Sequence, residues 1–468
     1  MARCHSANKQ KPKAVSIPGF SHEPPNEVDD PATWALLKHW TRHDQQWESL
    51  RESRGAQKFY PCRLLDLAPG KGLSDRIHLV ETDKCNIAAP YMTLSHHWAI
   101  GERGPFKHPL RKDNLTQFLT TGIMVWQLPQ LYWDIIRVAR KLGQRYLWID
   151  ELCVITDSGS DCSRATGQMG SIYRNSWCNI AATDAESSHD TLFFARRARA
   201  AIRPPKVTVE WHAQGPAEFL LCEEVPEKAP SSRLGDVRVW AVQLLAPRTI
   251  RFGRDQIRWE GLDFDASETF PLGEPSALSR NDLLRCAGPL RPRHLIRQWI
   301  ARDCPASFDF GRPDLRDSPQ DVFCLTWQQL VEEYTRDFLA VGPNKLAELF
   351  RIASVMSAGE RKDSRSGDDP YVAGMWNLAG AMEYQLLWTV GSMRPNGQPA
   401  KCQQAGLAPS WSWMSVDGEI TYRYQRERDK AGFRQLAHVR NISRKWLPTP
   451  DRMTIMGPLV KDLPMQTP

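Results

Sequence analysis

The strongest constraint on the fold is the alternation of apolar runs and helical patterns between residues 91 and 185. The segments YMTLSHHW, RYLWID and CNIAATDA read as strands. LPQLYWDIIRVARKLG, between the first two, repeats apolar residues at helical spacing, and TGQMGSIYRNSW, between the last two, reads as a short helix. Because parallel strands must be joined by a crossover, this order predicts an α/β fold with a parallel sheet wound by helices.

Polar side chains follow each predicted strand at the point where the strand ends. In wound parallel sheets, ligands bind at the carboxyl ends of the strands. Asp150 and Glu151 follow RYLWI directly and are the candidate catalytic residues. The predicted binding rim consists of Ser95, His97, Trp98, Cys153 and Asp157.

The residue types at this rim leave several chemistries open. His96 and His97 are adjacent, so on a strand they point to opposite faces, and no metal-ligand spacing is present. We therefore expect no metal. Cys153 could be a nucleophile beside a histidine, although a cysteine after a buried strand is more often a small core residue. Asp150 and Glu151 also diverge in direction, so a shared acid/base pair is not expected.

A glycine-rich turn in LLDLAPGKG raises a second possibility, an S-adenosylmethionine site around Asp66, Gly70 and Gly72. Such a site needs a helix directly after the turn, so that the helix N-terminus faces the ligand. The following LSDRIHLVET reads as a strand instead. The interpretation favoured here is a β-hairpin, and no cofactor is expected.

Composition limits the classes of protein to consider. A chain of 468 residues predicts two or more domains. Its net charge of +7 comes from scattered basic residues, so nucleic-acid binding is not expected. The 11 cysteines contain no CxxC pair, which favours reduced thiols and a cytoplasmic location. No apolar run of about 18 residues is present, so no membrane span is expected.

The pattern changes along the chain and suggests three regions. Residues 1–57 form a tail and a helix, residues 58–262 the wound sheet with flanking hairpins, and residues 263–468 a mixed α+β region. In the last region, DVFCLTWQQLVEEYTRDFLA reads as an amphipathic helix and YVAGMWNLAGAMEYQLLWTV as a buried helix.

Several of these segments resemble, in order and spacing, the fungal heterokaryon incompatibility (HET) domain. The resemblance is carried by YMTLSHHW, RYLWIDELCVITD, QMGSIYRNSWCNIAATDA and VWAVQLLAPRTIRFGRDQIRWE, and it continues to APSWSWMSVDG. It implies a TIR-like, flavodoxin-like parallel sheet. It also implies a protein of vegetative self/non-self recognition that leads to programmed cell death, with other HET or TIR-like incompatibility proteins as partners and with possible self-association.

Some TIR domains cleave NAD with a glutamate, so the resemblance makes NAD a possible substrate. This sequence departs from the HET pattern where that chemistry would lie: Thr156 replaces a glutamine, Cys162 a tryptophan and Ala165 a glutamate. A methyl group cannot replace a carboxylate that stabilises an oxocarbenium-like state. We therefore expect action by protein association, with degenerate catalytic motifs. The alternative is an NAD glycohydrolase-like enzyme that uses Asp150 or Glu151.

Overall fold

The structure is a computed structural model, which describes part of the chain. The described residues are 3–6, 29–44, 59–67, 75–96, 109–194, 206–211, 215–222, 241–273 except 243, 255 and 263, 296–297, 299, 319–337, 349, 352–356, 371–377, 382–391, 400–402, 408–422, 438–443 and 452–456. They divide into two compact units, Met1–Arg280 with Ile300–Arg302, and Asn281–Trp299 with Asp303–Pro468. The predicted boundaries at residues 57 and 262 stay predictions.

The first unit combines a large sheet with helices. Its helices are α1 (Pro31–His43), α2 (Leu115–Thr120), α3 (Gln130–Lys141), α4 (Asp150–Cys153) and α5 (Gly159–Arg174). Its strands are β1 (Arg3–Ser6), β2 (Arg63–Asp66), β3 (Arg76–Glu81), β4 (Tyr91–His96), β5 (Ile123–Met124), β6 (Tyr146–Trp148), β7 (Cys178–Ala182), β8 (Lys206–Trp211), β9 (Gly215–Cys222), β10 (Thr249–Phe252), β11 (Ile257–Glu260) and β12 (Asp265–Ser267).

Nine of these strands form one sheet in the order β12-β11-β10-β7-β4-β6-β2-β3-β5. The four central strands, β10, β7, β4 and β6, are parallel to one another, which confirms the predicted α/β fold. The outer strands pair antiparallel, so the sheet is mixed. The pairs β2–β3 and β10–β11 have connections too short for a crossover, and such strands can pair only antiparallel. The predicted hairpin at LLDLAPGKG is confirmed as β2–β3.

The parallel strands follow a doubly wound order. Along the chain they occur as β4, β6, β7 and β10, whereas across the sheet their order is β6, β4, β7 and β10. This is the strand order of flavodoxin-like sheets. From β4 the chain crosses to β6 on one side of β4. From β6 it crosses in the opposite direction to β7, on the other side of β4. Because such crossovers are right-handed, α3 and α5 lie on opposite faces of the sheet.

Helix α3 forms where the sequence pattern predicts it. Its inward face buries Leu131, Ile135 and Val138, and Pro129 occupies its N-cap position. Gly143 follows the C-cap with φ +76°, a conformation that glycine adopts without a steric penalty. Helix α5 is longer than the short helix predicted from TGQMGSIYRNSW, because it begins at Gly159 and so includes Asp161 in its first turn.

The second unit is a mixed α+β region with an aromatic core. It contains α6 (Pro319–Asp337), α7 (Met382–Gln385), and the strands β13 (Tyr371–Val372), β14 (Met375–Trp376), β15 (Thr389–Val390), β16 (Lys401–Cys402), β17 (Val416–Asp417), β18 (Ile420–Thr421), β19 (His438–Ser443) and β20 (Arg452–Met456). The predicted amphipathic helix is confirmed as α6. The prediction of one buried helix across residues 371–390 is wrong, because β13 and β14 form a hairpin whose turn has positive φ at Ala373 and Gly374.

Candidate functional site

The candidate site lies at the carboxyl ends of the parallel strands. Strand β4 ends at His96, between the end of β6 at Trp148 and the end of β7 at Ala182. The predicted strand neighbours therefore meet at one edge of the sheet. His97 and Trp98, two residues of the predicted rim, lie outside the described residues.

Ser95 joins two strands rather than facing open solvent. Its side chain is buried, and its Oγ accepts a hydrogen bond of 2.8 Å from Nδ2 of Asn179 on β7. Oδ1 of Asn179 in turn accepts from Oγ1 of Thr93 at 3.2 Å. This buried polar ladder ties β4 to β7, so the position predicted as a binding residue already has a structural partner.

The two candidate catalytic carboxylates point to different partners, as their adjacency predicts. Oδ1 of Asp150 accepts a hydrogen bond of 2.9 Å from the backbone N–H of Glu151, at the start of α4. Oε2 of Glu151 accepts one of 2.5 Å from the hydroxyl of Tyr132 on α3. Asp150 therefore supports the local backbone, and Glu151 links the end of β6 to α3.

Glu151 has the electrostatic environment of a group that titrates near neutral pH. Burial raises the pKa of Glu151 to about 7, the nearby charge of Asp150 adds to the rise, and the hydrogen bond from Tyr132 opposes it. Burial also holds the pKa of Tyr132 well above its usual value, so its hydroxyl keeps its proton and donates. The ring of Tyr132 meets the ring of His96 edge-on, with centroids 6.2 Å apart. A carboxyl group that is half protonated near neutral pH is suited to general acid or base chemistry.

Cys153 and Asp157 have mainly structural contacts. Cys153 is buried, and burial raises the pKa of its thiol to about 12. The reactive thiolate is therefore scarce at neutral pH, which argues against a nucleophilic role. Oδ1 of Asp157 accepts from the backbone N–H of Lys112 at 3.0 Å, and its Oδ2 lies 4.0 Å from Nε of Arg111. Asp157 thus holds the segment that precedes α2.

A second site, which the sequence analysis missed, is a cleft between α5 and the start of β2. The cleft is open at its mouth, and Ala165, Gln168 and Trp148 contribute to its lining. Arg63 reaches this place because β2 runs antiparallel to β6 and so begins beside the end of β6. The sequence shows no signal for this arrangement, because Arg63 and its partner Asp161 are 98 residues apart.

Three charged side chains organise the cleft. Asp161 forms ion pairs with Arg63 and with Arg164, and its Oδ2 also accepts from the backbone N–H of Ile155 at 2.8 Å. Burial opposes ionisation of Asp161, but the bonds from Arg63 and Ile155 outweigh it and lower the pKa of this carboxyl. Nε of Arg63 donates to the carbonyl of Cys153 at 2.8 Å. The three side chains thereby fasten α5, β2 and the loop after β6.

The part of the chain that contains the parallel strands matches a known protein family. Residues 91–243 match the family described as Heterokaryon incompatibility protein (HET). The chain carries a HET domain. No curated protein and no solved structure matched the chain in the same comparisons. The HET match begins with β4 and includes α3 and α5, so it supports a heterokaryon-incompatibility-type protein.

The HET domain and the residues before it build the cleft together. Asp161, Arg164 and Ala165 lie inside the matched segment, whereas Cys62 and Arg63 precede it. The glutamate expected from the HET pattern at position 165 would line this cleft. Glu151, by contrast, contacts α3, which lies on the opposite face of the sheet from α5.

The S-adenosylmethionine interpretation finds little support in the described residues. Both carboxylate oxygens of Asp66 accept from Arg145, at 2.9 and 2.7 Å, and the next element that the structure describes after β2 is strand β3. Among the described residues, no helix begins between β2 and β3, where an S-adenosylmethionine site would need a helix N-terminus. Within the described part of the chain, no group of three or more His, Cys, Asp or Glu side chains is placed to hold a metal ion. No described helix is both long and apolar enough to cross a membrane.

Proposed function

We propose that this HET-domain chain acts in vegetative incompatibility, as a self/non-self recognition protein whose activation leads to programmed cell death. In this proposal it acts by associating with other HET or TIR-like incompatibility proteins, and not by turning over NAD. The observation that carries the proposal is the methyl group of Ala165 in the cleft, where the HET pattern has a glutamate.

The chemistry of the cleft supports action without catalysis. A glycosidic bond to nicotinamide breaks through a cationic, oxocarbenium-like state, which a carboxylate at the cleft would stabilise. Ala165 provides none, and both carboxylate oxygens of Asp161 are already bonded to Arg63, Arg164 and the backbone. An incoming substrate would therefore have to compete with these bonds for the acidic group.

An exposed aromatic surface supports action by association. Trp126 is 61% exposed and Trp133 is 38% exposed, and these two side chains form what we call the tryptophan patch. They are neighbours, because the indole N–H of Trp133 donates to the carbonyl of Val125. Tryptophan is enriched among the residues that contribute most of the binding energy at protein interfaces. In this proposal the tryptophan patch contacts a partner incompatibility protein.

The proposal is tested first by incubating the purified full chain with NAD and measuring nicotinamide release. We expect no release above the rate without protein, because the cleft lacks the required carboxylate. Nicotinamide release by the wild-type chain would contradict the proposal. Release that persists after replacement of Asp150 and Glu151 would show that another part of the chain is the active hydrolase.

The second candidate function, NAD hydrolysis by the rim carboxylates, is favoured by the pKa of Glu151. A pKa of about 7 suits a group that must give and take a proton near neutral pH. This alternative predicts nicotinamide release by the wild-type chain that is lost in Glu151→Gln or Asp150→Asn. Glu186→Gln, which alters an exposed carboxylate elsewhere in the HET domain, is the matched control.

A further inference from the structure

The cleft at α5 has more guanidinium donors than its own carboxylate can use. Each guanidinium has five N–H donors on three nitrogens. Arg63 uses Nε for the carbonyl of Cys153 and Nη2 for Asp161, and Arg164 uses Nη2 for Asp161. Among the described residues, Nη1 of Arg63 and both Nε and Nη1 of Arg164 have no hydrogen-bond acceptor.

The charge of the cleft also favours an anion. Two guanidinium groups face one carboxylate there, which leaves one positive charge in excess. Arg63 is itself almost fully buried, with 7% of its side chain exposed, so its charge is weakly screened by solvent. Arg164 is half exposed and lies where a ligand can reach it from solvent.

The lining indicates what kind of anion the cleft can bind. Gln168, whose side chain can donate hydrogen bonds, lines the cleft with the two arginines, and Trp148 and Ile172 are apolar residues of the lining. Three donor groups suit the three oxygens of a phosphate group better than the two of a carboxylate.

We propose that this cleft binds the phosphate group of a small molecule through Arg63, Arg164 and Gln168. The bound phosphate would bridge β2 and α5, and the rest of the ligand would extend from the open mouth of the cleft. This inference goes beyond the proposed function and does not rest on it, because a cleft that performs no catalysis can still bind a ligand.

Isothermal titration calorimetry on the full chain tests the proposal, in a buffer free of phosphate at moderate ionic strength. The probes are inorganic phosphate, ribose 5-phosphate and acetate. We expect saturable binding of the two phosphates and none of acetate. Arg164→Gln should weaken phosphate binding by about tenfold or more, the usual effect of losing a charge-assisted hydrogen bond. Tighter binding of ribose 5-phosphate than of inorganic phosphate would identify a phosphate ester as the ligand, and equal binding would identify the phosphate group alone.

Two further variants serve as controls for the binding experiment. Arg42→Gln removes the same charge from an exposed position on α1 and should bind phosphate like the wild-type chain. Ala165→Glu adds a negative charge to the cleft lining and should abolish binding. The proposal would be overturned if wild type, Arg164→Gln and Arg42→Gln bound phosphate with equal affinity. It would also be overturned if a wild-type chain that unfolds cooperatively bound no phosphate. Neither result depends on NAD turnover, so it is separate from the test of the proposed function.

Discussion

At the scale of single residues, Glu151 has an unusual proton affinity because it is buried against Tyr132 at the end of β6. Its pKa of about 7 in the folded chain lies above the ordinary value of 4.5. The folded chain therefore holds this proton more tightly than the unfolded chain. The stability that this group contributes is fully present below about pH 4.5 and is lost as the pH rises through about 7.

Glu151→Gln removes this pH dependence while keeping an oxygen that can accept from Tyr132. We expect the free energy of unfolding of Glu151→Gln, relative to wild type, to rise by about 2 to 3 kcal/mol between pH 4.5 and pH 8. Urea unfolding of both chains across this range measures the difference. Glu186→Gln, with an exposed side chain, should show a constant difference from wild type. A constant difference for Glu151→Gln as well would show that the raised pKa is wrong.

Individual residues of the site were predictable only as far as their local context allowed. The sequence correctly indicates that Asp150 and Glu151 diverge, because neighbouring side chains point in different directions. It does not show that Ser95 bonds to Asn179, since that contact depends on the pairing of β4 with β7. The thiol of Cys153 agrees with the small-core interpretation, because it is buried and its pKa is raised to about 12.

At the scale of elements, the attachment of α5 to β2 depends on Asp161. The side chains of Asp161 and Arg63 are 6% and 7% exposed, and a buried ion pair that loses one charge leaves the other uncompensated. We expect Asp161→Asn to lower the free energy of unfolding by about 2 to 4 kcal/mol. Equilibrium urea unfolding measures this change.

The matched control is Asp157→Asn, because Asp157 forms a more exposed pair with Arg111 at 4.0 Å. An exposed pair of this kind contributes less than about 1 kcal/mol, and asparagine keeps an oxygen that can accept from the backbone N–H of Lys112, so this variant should unfold like the wild-type chain. Equal loss of stability in both variants would show that the cluster of Arg63, Asp161 and Arg164 does not fasten α5 to β2.

Elements with a strong local pattern were predictable, and elements that depend on special backbone conformations were not. Helices α3 and α6 show apolar residues at helical spacing over several turns, and both appear as predicted. The hairpin of β13 and β14 was taken for a helix, because its turn depends on positive φ at Ala373 and Gly374. Alanine in that conformation is unusual, so the sequence gives a misleading signal there.

At the scale of the whole molecule, the order of elements indicates an α/β sheet, but not which strands become neighbours. Alternating strands and helices predict the parallel centre of β6, β4 and β7. The addition of β2 beside β6 is a long-range choice that no local pattern encodes. The cleft results from that choice, since it places Arg63 against α5. This explains why the rim was predicted and the cleft was missed.

The central claim is that the chain acts through association and not through its rim carboxylates. Growth of a fungal host after induced expression of the full chain tests it most directly. Four chains are compared: wild type, the double variant Asp150→Asn with Glu151→Gln, Trp126→Ser in the tryptophan patch, and Leu272→Ser as a control. Leu272 is 53% exposed and lies outside the patch, so it matches Trp126 as an exposed apolar side chain. Equal protein levels in the host are confirmed by immunoblot.

We expect wild type, the double carboxylate variant and Leu272→Ser to arrest growth, and Trp126→Ser to permit it. Trp126→Ser removes a large exposed aromatic surface, which is the type of side chain whose loss weakens protein association most. Growth arrest that persists in Trp126→Ser but disappears in the double carboxylate variant would contradict the account and would favour NAD hydrolysis at the strand ends.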